Sequence, residues 1–380
     1  MRDFIHTPWP GIAAHLATER PERPVIYFDP AALERAAQTF IGGFPGLVTY
    51  AVKANPDARV IEALAAQGMT AFDIASPWEA RLVAHHAPGA VMHYNNPVRA
   101  RAEITEALAL GVRSFSVDAQ SELDKLIACG LPTGAEVSVR FRLPVKGAAY
   151  DFGSKFGADP EAASDLLRQV TEAGFNASLT FHPGTQCTDP EAWARYIERA
   201  ALIADEAGVT LHRLNVGGGF PAHRAGSAPV LAWVFDVIET AVTRAFGETP
   251  PALVCEPGRA MVADAFILAA QVRAVRGDDV FLNDGIYGAL SEWRDIGPSD
   301  RIRALAPDGT ERTGDTALRP VFGPTCDSLD RLPGLVALPE TLGEGDYVIF
   351  DGIGAYGTAI ATRFNGYGDF ETATLHKRTV

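Results

Sequence analysis

Tyr50-Ala51-Val52-Lys53-Ala54-Asn55 is the stretch on which the reading of this chain turns. It closes an apolar run, Leu47, Val48, Tyr50 and Val52, with the composition of a buried strand. Asn55-Pro56 then stops that strand. A lysine at the end of a core strand is costly to desolvate unless it has a partner or a task. One task profits from desolvation. A lysine with a lowered pKa presents a neutral amine that can form a Schiff base with an aldehyde. Taken alone, the six residues favour a lysine that snorkels from a strand end to water. The rest of the chain has to decide.

A rhythm sets in from residue 47. Strand-like runs lie near 47–52, 70–74, 90–94, 113–117, 136–141, 177–182, 212–216 and 252–256. Helical patterns separate them, such as Asp57 to Gln67, Pro77 to His86, Asp118 to Ala128, Asp159 to Ala173, Asp189 to Ala207 and Val230 to Phe246. Several open on an aspartate or Ser-Pro cap signal and close near a glycine, Gly68, Gly130, Gly174 or Gly208. Strand alternating with helix predicts a parallel sheet with right-handed crossovers. Eight such units in ~210 residues predict an α/β fold of the closed (β/α)8 barrel type. A doubly wound open sheet would not ordinarily need eight consecutive units.

Upstream, residues 1–23 are irregular and proline-punctuated, with a short helical patch near 11–18. Val25-Ile26-Tyr27-Phe28 reads as a strand, and Asp29-Pro30 opens a helix to about residue 40. After Arg259 the texture changes to short strands separated by turn signals, such as Gly277-Asp278-Asp279 and Pro307-Asp308-Gly309. The expected organisation is an N-terminal segment (1–24) packing on a β-rich domain (263–380), with the barrel at 25–262.

Composition bounds the function. The chain has 380 residues, 47% apolar and 21% charged, with net charge -14. That charge argues against nucleic acid or an anionic membrane surface as partner. No apolar run approaches the ~20 residues of a membrane span, and Met1 to His6 lack the apolar core of a signal peptide. Cys129, Cys187, Cys255 and Cys326 show no CxxC spacing. The expectation is a reducing, cytoplasmic protein with no structural metal.

Barrel enzymes keep their chemistry at the C-terminal ends of the strands. Here those ends carry Lys53, Asp73, Asn95-Asn96, Asp118, Arg140 with Arg142, His182, Gly217-Gly218-Gly219 and Glu256-Pro257-Gly258-Arg259. Singly, each has an ordinary explanation: Asp118 as a helix N-cap, Asn95-Asn96 as a turn, His182 as a bonded core histidine. Polar or glycine-rich residues at all eight ends are hard to explain by packing. Consecutive glycines let backbone N–H groups cradle a phosphate, although tight turns use them too. Glu256 is placed to meet a ring nitrogen, and Gly258 with Arg259 extends the phosphate cup. With Lys53 the set describes pyridoxal phosphate in Schiff-base linkage. Cys326, in Gly323-Pro324-Thr325-Cys326-Asp327-Ser328, is a thiol suited to proton delivery or else a small buried apolar residue.

These segments resemble the fold-type III pyridoxal-phosphate decarboxylases, the ornithine/lysine/diaminopimelate decarboxylase family. The similar segments are Tyr-Ala-Val-Lys-Ala-Asn (50–55), Phe-Asp-Ile-Ala-Ser (72–76), Lys-Phe-Gly (155–157), the His182 segment, Gly-Gly-Gly-Phe-Pro (217–221), Glu-Pro-Gly-Arg (256–259), Gly-Pro-Thr-Cys-Asp-Ser (323–328), Gly-Ala-Tyr (354–356) and Phe-Asn-Gly (364–366). They span nearly the whole chain in the family's order. The resemblance implies an alanine-racemase-like barrel plus a β-sandwich-like domain, and a homodimer with active sites at the subunit interface. It implies Lys53 as the Schiff-base lysine, Glu256 as the partner of the pyridine nitrogen and His182 stacked on the ring. Asp73 and Arg140 belong to the inner shell. Gly218, Gly219, Gly258, Arg259 and Tyr356 hold the phosphate, with Thr185 beside them. Cys326 as proton donor and Asp327 as ligand of the substrate's distal amine would reach into the neighbouring subunit's site.

Two departures bear on substrate. Asp327 after the thiol and Phe364-Asn365-Gly366 resemble the ornithine/lysine branch rather than the diaminopimelate members. The segment after Tyr287-Gly288 reads Ala289-Leu290-Ser291-Glu292-Trp293-Arg294-Asp295. Asp295 is the expected contact for a distal amine, with Tyr287 nearby. Arg294 either points into the pocket, favouring a carboxylate-bearing side chain, or points outward to a surface carboxylate. The expected activity is decarboxylation of ornithine or lysine to a diamine. The alternatives are a modified or carboxylated amino acid read by Arg294, and a non-catalytic homologue that binds the cofactor.

Overall fold

The computed structural model describes residues 8–143 and 155–376. Residues 1–7 of the expected N-terminal segment and 144–154 of the expected barrel therefore lie outside the described residues. The chain begins with helix α1 (Ile12–Glu19), strand β1 (Val25–Phe28) and helix α2 (Pro30–Gly43). The chain divides into two units, one of Ala36–Pro221 with Pro229–Met261 and one of Met1–Arg35, Ala222–Ala228 and Val262–Val380.

The first unit is the barrel. Its strands are β2 (Leu47–Ala51), β3 (Ala71–Ile74), β4 (Val91–Tyr94), β5 (Ser114–Val117), β6 (Glu136–Arg140), β7 (Asn176–Thr180), β8 (Arg213–Asn215) and β9 (Ala252–Cys255). They follow one another in order around a closed barrel. Parallel pairing of Leu47 with Val254 and Val48 with Cys255 closes it. These are the eight runs expected from the sequence. The helices between them are α3 (Ala58–Ala66), α4 (Pro77–His86), α5 (Arg101–Ala109), α6 (Gln120–Ala128), α7 (Pro160–Glu172), α8 (Glu191–Ala207) and α9 (Leu231–Phe246). Three of their starts, those of α3, α4 and α7, obey the cap rule. Asp57 accepts from Arg59 N at 2.9 Å, Ser76 from Glu79 N at 3.2 Å and Asp159 from Ala162 N at 2.9 Å. Asp118 is not a cap; that position belongs to Ala119. Its Oδ2 instead accepts from Gly157 N at 2.9 Å and so pins the segment after β6.

The second unit is β-rich. After a short helix α10 (Arg259–Val262) come β10 (Phe266–Arg276), β11 (Asp279–Leu282), a short helix α11 (Trp293–Ile296), β12 (Ile302–Leu305), β13 (Thr316–Arg319), β14 (Val321–Phe322), β15 (Val336–Pro339), β16 (Tyr347–Asp351) and β17 (Glu371–Thr374). The main sheet runs β12-β16-β10-β1-β17. β1 pairs antiparallel with β10 and parallel with β17. The barrel was expected to begin at residue 25, but Val25–Phe28 is a central strand of the β-rich sheet. Its four residues are all buried, and a short apolar run before a helix does not reveal which sheet it joins. Ile12, Leu16, Val25, Tyr27, Tyr347 and Ile349 share one core there, so α1 packs on this unit.

Candidate active site

Lys53 sits in a single tight turn, Val52–Ala54, directly after β2. The turn is held by Asn55 N to Val52 O at 3.1 Å and by Tyr50 Oη to Asn55 O at 2.9 Å. Lys53 Nζ lies 3.2 Å from Asp73 Oδ2 at the same end of neighbouring β3. The lysine side chain is 43% exposed and the aspartate 2%. The expected desolvated lysine is therefore a half-exposed one held by a buried carboxylate.

Glu256, just past β9, is buried. Its Oε1 accepts from Asn95 Nδ2 at 2.7 Å and from Asn215 Nδ2 at 2.5 Å. Burial pushes its carboxyl up, and Asp73 adds to the rise, while Lys53, the Asn215 hydrogen bond and Arg140 oppose it. Both amides belong to the site, although sequence reading assigned Asn95 to a turn and gave Asn215 no role. The available signal was an asparagine at a buried strand end, which needs a partner. Asn215 also accepts from Gly217 N at 2.9 Å, fixing the start of the glycine run.

That run has no room for side chains. A Cβ on Gly218 would stand 2.6 Å from Glu256 O and 3.2 Å from His182 Nε2. One on Gly219, at φ +85°, would stand 2.2 Å from Gly184 O. His182 Nδ1 accepts from Gly184 N at 3.1 Å, which places the ring proton on Nε2. Burial, then Arg140 and Lys53, push its pKa well below the ordinary value, so the ring is neutral. Arg259 Nη2 approaches Thr185 Oγ1 at 3.4 Å. Gly258 accepts from Met261 N at 3.1 Å in the turn that carries Arg259. Arg140, at the end of β6, has a pKa lowered by burial against the opposing charges of Glu256, Asp118 and Asp73.

The remaining expected residues belong to the β-rich unit. Tyr287 Oη donates to Asp327 Oδ2 at 2.5 Å. That bond and Leu329 N–H hold the Asp327 carboxyl below its ordinary range. Cys326 is exposed, and its N–H donates to Asn365 Oδ1 at 3.1 Å. Both residues line a cavity of about 770 Å³ that Arg23, Arg273 and Asn283 also line. On α11, Trp293 is buried against Phe350, while Arg294 and Asp295 are exposed. Arg294 Nε donates to Ser291 O at 3.3 Å. Tyr356 is half-buried at φ +54°.

The barrel mouth therefore presents one lysine on one carboxylate, a buried carboxyl with two amides on a single oxygen, a neutral imidazole and a backbone surface clear of Cβ atoms. This donor set suits a phosphorylated, electron-poor ring that carries an aldehyde.

Comparison with known proteins gives the same chemistry. Residues 31–263 match the family model "Pyridoxal-dependent decarboxylase, pyridoxal binding domain". The lysine/ornithine decarboxylase of Selenomonas ruminantium is 35% identical over 336 residues, covering 84% of this chain and 81% of that protein. The structure of the arginine decarboxylase of Paramecium bursaria Chlorella virus bound to agmatine superposes with TM-score 0.84 at 26% identity, covering 93% of this chain and 98% of that one. The lysine/ornithine decarboxylase of Vibrio vulnificus complexed with putrescine gives TM-score 0.81 at 29% identity, covering 95% and 96%.

Proposed function

This chain belongs to the pyridoxal-dependent decarboxylases, amino-acid lyases of the ornithine, lysine and arginine type that use pyridoxal phosphate, and we propose that it decarboxylates ornithine or lysine to the corresponding diamine. The carrying observation is Glu256 with both amides on Oε1, at the strand end next to that of a lysine held on Asp73.

Bound at this mouth, pyridoxal phosphate supplies an aldehyde for an amine and a ring that takes up the electron pair left when carbon dioxide departs. Lys53 would be the amine that holds the cofactor's aldehyde, kept in place by Asp73. Glu256 offers its second oxygen to the ring nitrogen and keeps that nitrogen protonated. A carboxyl raised by burial regains its charge beside such a cation. His182, being neutral, would pack against the cofactor ring without opposing its charge. Gly218, Gly219, Gly258 and Arg259, with Thr185 and Tyr356, bind the phosphate. Asp73 and Arg140 set the charge around Lys53 and Glu256.

Cys326 delivers its thiol proton to the α-carbon, and Asp327, kept ionised by Tyr287, receives the distal ammonium of the substrate. Both act on the site of a second copy in a homodimer. Asp295 adds a further negative charge for that ammonium. A reducing, cytoplasmic setting is part of this reading. No helix among the described residues is long and apolar enough to cross a membrane.

A screen of carbon dioxide release over ornithine, lysine, arginine, diaminopimelate and carboxylated derivatives tests the reading. Ornithine or lysine should give the highest kcat/KM. No release from either, with cofactor bound, would discard it. A second reading, a substrate whose distal end is a carboxylate, would need Arg294 to turn from its exposed position towards the substrate. An Arg294→Ala variant with unchanged preference discards that one.

A further inference from the structure

From Asp73 at the mouth, the barrel carries a line of polar side chains, His93, Ser114 and Glu136, that the proposed chemistry does not use. Neighbouring strands are in register at Asp73 and His93, at His93 and Ser114, and at Ser114 and Glu136. All four residues are buried.

Glu136 collects three donors. Ser114 Oγ reaches Oε2 at 2.8 Å, Ser178 Oγ reaches Oε1 at 2.8 Å and Arg213 Nη1 reaches Oε2 at 3.0 Å. Burial alone would raise its carboxyl, but Arg213 and the two hydroxyls hold it below the ordinary range. An ionised Glu136 fixes the single proton of Ser114, which goes to the carboxylate. His93 Nδ1, 2.9 Å from the same serine oxygen, must then be the donor. The ring is the Nδ1–H tautomer, and Nε2 presents a lone pair. Burial, with Arg213 in the same sense, lowers the histidine's pKa against Glu136 and Asp73, so the ring stays neutral.

His93 Nε2 is buried and makes no hydrogen bond, and the same holds for Asp73 Oδ1. These two acceptors stand on register-paired strands, neither with a donor. Buried polar groups in this position are satisfied by an internal water.

We propose that His93 is a positioning residue for Lys53: its Nε2 and Asp73 Oδ1 share one internal water, which donates to both and steadies the carboxylate whose Oδ2 holds the lysine. This rests on the reading of Lys53 as the cofactor's anchor. The charged groups facing the pair are Lys53 after β2, Glu79 on α4, Arg140 on β6 and Glu256 after β9 around Asp73, and Glu136 on β6 with Arg213 on β8 around His93. A water that donates to Asp73 favours its ionised form. An ionised Asp73 favours positive charge on the Lys53 nitrogen.

The test titrates the visible absorbance of the Lys53-linked cofactor against pH in the holoenzyme. His93→Leu lacks an acceptor and should lower the midpoint by ~0.5 unit or more. His93→Gln keeps an acceptor and should stay within ~0.2 unit of the parent. Equal shifts in the two variants, or none in a folded His93→Leu, overturn the proposal. If His93→Leu does not fold, Ser114→Ala replaces it. That change frees the ring to take the other tautomer, and an unmoved midpoint again overturns the proposal. Nitrogen NMR of the unsubstituted protein should report His93 as the neutral Nδ1–H tautomer. A protonated ring or the Nε2–H tautomer overturns the proposal whatever the cofactor does. Absence of any Lys53-linked absorbance in the unsubstituted protein sinks the reading of Lys53 instead, and the tautomer still decides the role of His93.

Discussion

At Glu256 two amides share one carboxylate oxygen, and the other oxygen is the one offered to a ring nitrogen. Glu256→Gln keeps the shape and removes the charge. Its kcat/KM should fall roughly a hundred- to ten-thousandfold with cofactor still bound. Carbon dioxide release together with the bound absorbance measures this, and a near-parental rate would remove Glu256 from its role. A second buried carboxyl, Asp284, accepts from Ala289 N at 3.0 Å, and burial pushes its pKa up to about 7. A raised carboxyl contributes stability that is complete below its unfolded pKa and is lost as pH rises through about 7. Asp284→Asn should therefore gain on the parent in thermal midpoint between about pH 5 and about pH 8. A constant gap between the two proteins would refute that. Lys53 and Glu256 were legible in the sequence because charge at the end of an apolar run breaks the pattern. Asn95 and Asn215 were not, because each stands two residues before a turn-former, Pro97 or Gly217, which draws the reading to the turn. Their shared partner is set by barrel closure, across 161 and 41 residues. Asp118 was misread for a like reason: its partner, Gly157, lies beyond the next strand.

Among the elements, the proposed site lies at the ends of the barrel strands, and the glycine run after β8 leaves no room for side chains. Gly218→Ala puts a methyl group 2.6 Å from a backbone carbonyl that cannot rotate away. It should cost about 1–3 kcal/mol of stability and weaken cofactor binding at least about tenfold. Gly42→Ala, near the end of α2, meets nothing within 4 Å. It should instead add about 0.5–1 kcal/mol. Denaturant melts and cofactor titrations of the two variants check the contrast, and equal behaviour would show that the glycine run is only a turn. The eight-fold rhythm was readable because strand, cap and glycine recur in one order, as at Asp57 and Asp159. β1 was assigned to the wrong sheet because Val-Ile-Tyr-Phe followed by Asp-Pro looks like one more βα unit. The partners that claim it, β10 and β17, are far away in the chain.

For the whole molecule, the proposed site needs Lys53 from one copy and Cys326 from another. Lys53→Ala and Cys326→Ala should each be inactive alone. After co-refolding in equal amounts they should recover about a quarter of parental activity, because half of randomly formed dimers carry one intact site. No recovery, with exchange verified by mass, would place both residues in a site built by one copy. β1 has a further consequence, for how the chain is made. The strand leaves the ribosome before either partner, for β10 begins roughly 240 residues later and β17 roughly 345 residues later. At ~5–20 residues per second, a nascent Val-Ile-Tyr-Phe waits roughly ten seconds to most of a minute with both edges unpaired while the barrel is already being synthesised. During that interval it is an apolar segment open to chance pairing with other chains. The yield of soluble enzyme should therefore depend on translation speed and chaperone supply more than the stability of either finished unit suggests.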